Sequence, residues 1–466
     1  MLTRTAVINV VGLTESLLGP ETPNLAAFGD RGARTRIEPA FPAVTCTAQA
    51  NYLTGTTPAR HGIVGNGWYH RELAEVQFWK QSNHLVAGTK LWDELRRRDR
   101  AFTCAQLFWW FNMYSNADYS ITPRPAYPAD GRKVFDIYTH PAGVRPEIKR
   151  DLGEFPFAAF WGPGAGVDGP HGSAIAASRW IAEAAKWIDE KHAPTLNLVY
   201  LPHLDYNLQR HGPAWPLLAA DLRRIDAVAG DLISFFQKRG VRVIVLSEYG
   251  ISGVDHPVHL NRLFRQKGWV AVREELGLEL LDCGASKVFA VADHQAAHLY
   301  LNDPSLEGPV RDALAAQRGV AAVLGAAEKR ELGLDHPRAG DLIAVAEQGA
   351  WFTYYYWLDD MRAPDFARCV DIHRKPGYDP VELFLDPKIP MVKLKILWRL
   401  LRKQLGFRML MDVIPLDAGL VKGSHGRRAV PAGEEPLLLC EGPAGSIPAR
   451  IASTDVFGLI RDRIWN

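Results

Sequence analysis

The chain has 466 residues, of which 47% are hydrophobic, enough for a large core and a smaller inserted unit. Lys and Arg number 54 against 52 Asp and Glu, so no net field points to nucleic acid or an acidic polymer. Five cysteines, at 46, 104, 283, 369 and 440, form no CxxC pair, which argues against a zinc knuckle or a disulfide framework.

The first residues run directly into an apolar stretch at 6–11 that is too short for a signal h-region. The expectation is a buried strand in a cytoplasmic protein. Further short β-branched runs at 103–108, 196–201 and 241–246 have the character of strands covered on both faces. Between the last two, Leu218, Leu222, Ile225, Ala229, Leu232, Ile233 and Phe236 repeat every three or four residues and stop before Gly240, which predicts a helix. A second helix is predicted after Ser173, a candidate N-cap, with Ile175, Ile181, Ala185 and Ile188 on one stripe. This alternation implies an α/β fold with a largely parallel central sheet, helices on both faces and a site beyond the carboxyl ends of the strands. From 255 to 357 the pattern shortens into strands and helices with charged loops, which reads as an inserted α+β cap between core segments 1–254 and 358–466. The aromatic run at 349–357 reads as core or a domain seam.

Chemistry concentrates at 41–66. An extended Pro42 segment enters a helix-compatible run, placing Thr45 at a helix start, where free amides and the dipole favour an anion. Alone, such a threonine reads as an N-cap. In this stretch, however, Thr45 is followed by Thr54-Gly55, then His61-Gly62-Ile63, then Asn66. The block resembles the nucleophile region of type I phosphodiesterases and nucleotide pyrophosphatases of the alkaline phosphatase superfamily. The resemblance implies Thr45 as nucleophile, Asn66 as donor to a nonbridging phosphoryl oxygen, and a divalent metal to activate the threonine.

The same resemblance extends to Asp205 with Gln209, to Glu248-Tyr249-Gly250, and to Gly423-Ser424-His425-Gly426. It implies metal ligands at Asp205, Glu248 and His425. Val11, Gln209 and Tyr249 stand where the family places an aspartate and two histidines, so one ion, Zn²⁺ or Mg²⁺/Mn²⁺, is expected instead of two. Gln209, Tyr249 and His203 are further candidates; His203 lies two residues before Asp205 at a predicted strand end, where both side chains share a face. Asp255, His256, His259, Asp335, His336 and His373 are weaker ones without fixed spacing. Cys46 replaces the aromatic residue that stacks on a nucleoside base in the family; at a helix start it is itself a candidate low-pKa nucleophile. Trp68 and Tyr69 offer either a stacking face or core packing.

The resemblance implies a metal-dependent hydrolase of small phosphate esters, and the balanced charge gives no sign of a nucleic-acid partner. The substituted ligand positions favour an alternative: a catalytically impaired member of the same fold that serves as a binding or assembly protein. Finally, 393–403 alternates basic and apolar residues at helical spacing, as in a helix lying on an anionic membrane surface or packed with a solvated basic edge.

Overall fold

A computed structural model describes residues 2–129, 132–169 and 172–465. Its centre is a nine-stranded sheet in the order Arg450–Ala452, Ala33–Glu38, Leu437–Cys440, Arg242–Leu246, Thr5–Val10, Leu196–Leu201, Cys104–Leu107, Tyr119–Pro123, Ile137–His140. The run from Arg242–Leu246 to Tyr119–Pro123 is parallel, whereas Leu437–Cys440 and Ile137–His140 run against their neighbours. All four apolar runs read as strands fall in this parallel part. Thr5–Val10 and Leu196–Leu201 are buried along their whole length, as expected where helices cover both faces.

Two groups of helices flank the sheet. Pro23–Arg31, Ala176–His192 and Trp215–Lys238 pack together, and Asp455–Trp465 packs on Thr45–Thr54 and Leu91–Arg98. The Trp215–Lys238 helix buries every member of the predicted stripe and is followed by Gly240 at φ +68°. Ser173 does not cap the helix predicted after it. Ala176 N donates to Ser173 O (2.9 Å) in a preceding turn, and the helix starts at Ala176.

A second sheet, antiparallel, has the order Val288–Asp293, Ala296–Leu301, Leu342–Ala346, Val320–Leu324. Its core absorbs the aromatic run: Trp351, Phe352, Tyr354, Tyr355, Tyr356 and Trp357 are all buried there. The same core draws in Tyr69 and Phe78 from before the predicted insertion and Val381, Val413 and Ile414 from after it. Among the described residues, no helix is long and apolar enough to cross a membrane.

Candidate active site

The Thr45–Thr54 helix is wholly buried, and Val44 before it is extended and has no polar side chain to cap it. Thr45 is therefore the first hydroxyl at a helix start lying beyond the sheet. The helix closes on Gly55 at φ +63°, where a Cβ would lie 3.0 Å from Phe457 Cγ, so the Thr54-Gly55 pair of the motif is a turn requirement. His61 is equally structural. Its Nδ1 accepts from Ile63 N (3.0 Å), its Nε2 meets the Asn51 side-chain amide (2.8 Å), and burial pushes its pKa down to about 3.

Thr45, Asn66, Asp205, Glu248 and His425 converge although they span most of the chain. Thr45 Oγ1 lies 3.2 Å from Tyr249 Oη, which donates to Asp205 Oδ1 at 3.2 Å. Tyr249 also stacks on His425, ring centroids 3.6 Å apart and planes 8° from parallel. Asn66 lies on the other side of the helix start. Its Oδ1 accepts from Cys46 N (3.1 Å), while its backbone N (2.8 Å) and Nδ2 (3.1 Å) donate to Asp293. Glu248 follows the Arg242–Leu246 strand, and its Oε1 accepts from Asn9 (2.5 Å) and from Gln49, one turn along the helix from Thr45.

Burial dominates the electrostatics. It pushes the Asp205 carboxyl up to about 7 against the hydrogen bonds of Gln209 and Tyr249, Glu248 up to about 8 against Gln49, Asn9 and Thr45, and Asp293 up to about 7 against Asn66. Burial also holds the Tyr249 phenol well above its usual range and pushes His425 down to about 3, so His425 is neutral. Its Nδ1 donates to Ala43 O (2.7 Å), which leaves a lone pair on a buried, unpartnered Nε2; Glu248 Oε2 is likewise buried and unpartnered.

These donors do not fit the expected divalent ion. Among the described residues no group of three His, Cys, Asp or Glu side chains is placed to hold one. Asp205 gives Oδ1 to Tyr249 and Oδ2 to Gln209 (2.6 Å), and the Tyr249 hydroxyl stands between Thr45 and Asp205, where a bridging ion needs room. Gln209 is held by the Tyr378 hydroxyl (3.0 Å). Val11 is fully buried in the core and offers no donor atom.

Other candidates are corrected outright. His203 opens a helix, His203–His211, instead of ending a strand, so it points away from Asp205; its Nε2 lies 2.9 Å from Asp221. Burial raises the Cys46 thiol well above its usual range, the reverse of an activated thiolate. His256, His259, His336 and His373 make their own contacts, with Arg318 O, Thr353, Arg338 N and Phe78 O. Trp68 is buried under Arg338.

Three members were not visible in the sequence reading: Asp293, His294 and Tyr378. His294 packs at a tilt against His425 (centroids 3.6 Å, planes 34° apart) and stacks on Tyr378 (3.8 Å). It sits at the tip of the Val288–Leu301 hairpin with φ +61°, a strained conformation for a residue other than glycine. An Asp-His pair at the end of a strand was the available signal.

A sequence model of the type I phosphodiesterase/nucleotide pyrophosphatase family matches residues 5–379. The chain belongs to that family. An uncharacterised pyrophosphatase/phosphodiesterase of Schizosaccharomyces pombe is 25% identical over 254 residues, which is 52% of this chain and 42% of that relative. The match thus spans less than half of the curated family relative. Two solved structures share the fold at 14% identity and cover 99% of this chain. One is the phosphonoacetate hydrolase of Sinorhizobium meliloti in complex with phosphonoformate (TM-score 0.62, 96% of that chain). The other is an inactive murine ectonucleotide pyrophosphatase/phosphodiesterase 5 in complex with AMP (TM-score 0.58, 95% of that chain). The fold of this family member is therefore alkaline-phosphatase-like.

Proposed function

We propose that this family member hydrolyses small phosphate esters with Thr45 as nucleophile. The observation that carries the reading is the hydrogen-bonded chain Thr45–Tyr249–Asp205. A phenol has a single proton; because Tyr249 donates it to Asp205, Thr45 donates to Tyr249. As Thr45 Oγ1 bonds to phosphorus, its proton passes to Tyr249 Oη and the Tyr249 proton passes to Asp205. The bond from phosphorus to the ester oxygen breaks, and the leaving alkoxide takes a proton from solvent. Water then displaces the phosphoryl group from Thr45, giving its own proton to solvent, and the proton on Asp205 returns along the same path to Thr45 Oγ1. Asn66, fixed by Asp293, has a second Nδ2 hydrogen to offer a phosphoryl oxygen. Among the described residues the donors do not assemble around a divalent ion, and the Thr45 proton leaves through Tyr249 instead.

The test is turnover of bis(p-nitrophenyl) phosphate and p-nitrophenyl phosphate. Thr45→Ala should abolish it, and Asn66→Ala should lower it by ~10² or more, the usual cost of an oxyanion donor. Undiminished turnover by Thr45→Ala would remove Thr45 from the chemistry.

One observation favours a second reading, a binding or assembly protein without catalysis. Thr45, Asn66, Asp205, Glu248 and His425 are all buried, so the site is closed in this conformation. Absence of turnover on both esters by the wild-type protein would select that reading.

A further inference from the structure

The Val392–Gln404 helix has its polarity inverted. On its inner side Lys395 and Arg399 reach the Asp412 carboxylate (2.9 and 3.1 Å), Lys403 Nζ donates to Lys133 O (3.3 Å), and Val392 and Ile396 pack on the second core. On its outer side Leu394, Leu397, Trp398, Leu401 and Leu405, spaced i, i+3, i+4, i+7, i+11, are 44–66% exposed. Phe407 and Leu410, just after the helix, and Val134 and Phe135, next in sequence to Lys133, are exposed as well. A helix on the surface of a soluble protein does the reverse, turning its apolar stripe to the core. A contiguous exposed stripe of this kind marks an interaction face.

Charge identifies the occupant. Residues 388–411 hold seven Lys and Arg and no Asp or Glu, and the next acidic residue, Asp412, is already paired. We propose that the Val392–Gln404 helix docks the protein on an anionic lipid bilayer. The apolar stripe enters the head-group boundary, Trp398 sits at the interface its ring favours, and the exposed Lys393 and Arg408 reach lipid phosphates. At 13 residues the helix is about 20 Å long, too short for the ~30 Å hydrocarbon core, so it lies on the membrane and does not span it. A second copy of the chain fits less well, since pairing like helices would press two cationic segments together.

Co-sedimentation of the full chain with vesicles tests this. Binding to phosphatidylcholine vesicles containing phosphatidylserine should exceed binding to pure phosphatidylcholine at least tenfold at low salt, and fade as salt screens the charge. A Leu397→Glu/Trp398→Glu double variant, altering only exposed positions, should lose that binding at least tenfold with an unchanged melting temperature. Equal binding to both vesicles, binding to neither, or binding that survives the double variant would overturn the proposal. A dimer dispersed by the double variant, without vesicle binding, would assign the face to a second copy.

Discussion

Tyr249 is the residue on which the site turns. In a typical metal-dependent site a cation lowers the cost of forming an alkoxide; here a neutral phenol touches both the threonine and a carboxylate. A phenol with a raised pKa is a poor base by itself, but it relays a proton without holding charge. In the proposed reaction the proton acceptor is Asp205, which burial pushes up to about 7, close to neutrality, where a general base is most effective. The base form is the ionised one, so kcat/KM should rise with pH through an inflection near 7 and be lost below it. Tyr249→Phe keeps the ring on His425 and removes only the hydroxyl; it should lower kcat/KM by ~10² to 10⁴, the range of general acid–base contributions. Asp205→Asn should flatten the acid limb. A Tyr249→Phe enzyme with the wild-type pH profile would refute the relay.

At the scale of elements, the second sheet completes the site. The hairpin of Val288–Asp293 and Ala296–Leu301 presents Asp293 to Asn66 and His294 to His425, and Gln295 N donates to His425 O (2.8 Å). Removing the Asp293 carboxylate leaves the Asn66 backbone N–H buried without an acceptor, at about 1–3 kcal/mol. Asp293→Ala should therefore lower the melting temperature and reduce turnover as much as Asn66→Ala, and the double variant should lose no further activity, as expected of residues acting as one unit. Additive losses would show that Asp293 does not act through Asn66. Four strands of the parallel part of the central sheet were legible because they lie in short apolar runs, a local signal; the other five strands of that sheet were not. That Thr45, Asn66, Asp205, Glu248 and His425 come together was legible through ordered motifs. The hairpin tip was not, since the Asn66–Asp293 and His294–His425 contacts join residues more than a hundred positions apart, and an inserted unit read by its short elements reveals nothing about which turn meets the core. His203 misled for a related reason. A buried strand followed by a helix has no local marker for the residue at which the period changes from two to 3.6.

At the scale of the whole molecule, the site carries an electrostatic load that should appear in stability. Asp205 and Asp293, at about 7, and Glu248, at about 8, lie well above the values near 4 of unfolded carboxyls. The folded chain thus holds protons that the unfolded chain releases, so the stabilisation they give is complete below about 4 and is lost as pH rises through 7 to 8. Buried histidines act in the opposite sense. His61 and His425 are pushed down to about 3, His259 and His298 to about 4, and His294 is also lowered, so their contribution is present above about 6.5 and is lost as pH falls. Below 6.5 the two groups oppose each other, whereas above it only the carboxyls titrate. The melting temperature should therefore fall between pH 6.5 and 8.5, by roughly 1 °C for each kcal/mol lost in a chain of 466 residues. Glu248→Gln, which cannot ionise and keeps an acceptor for Asn9 and Gln49, should flatten the upper part of that slope. A wild-type melting temperature that stays level or rises across this range would mean that the carboxyls are already charged in the folded protein. If it levels only when a divalent ion is added, a cation enters among Asp205, Glu248 and His425 after rearrangement of Tyr249.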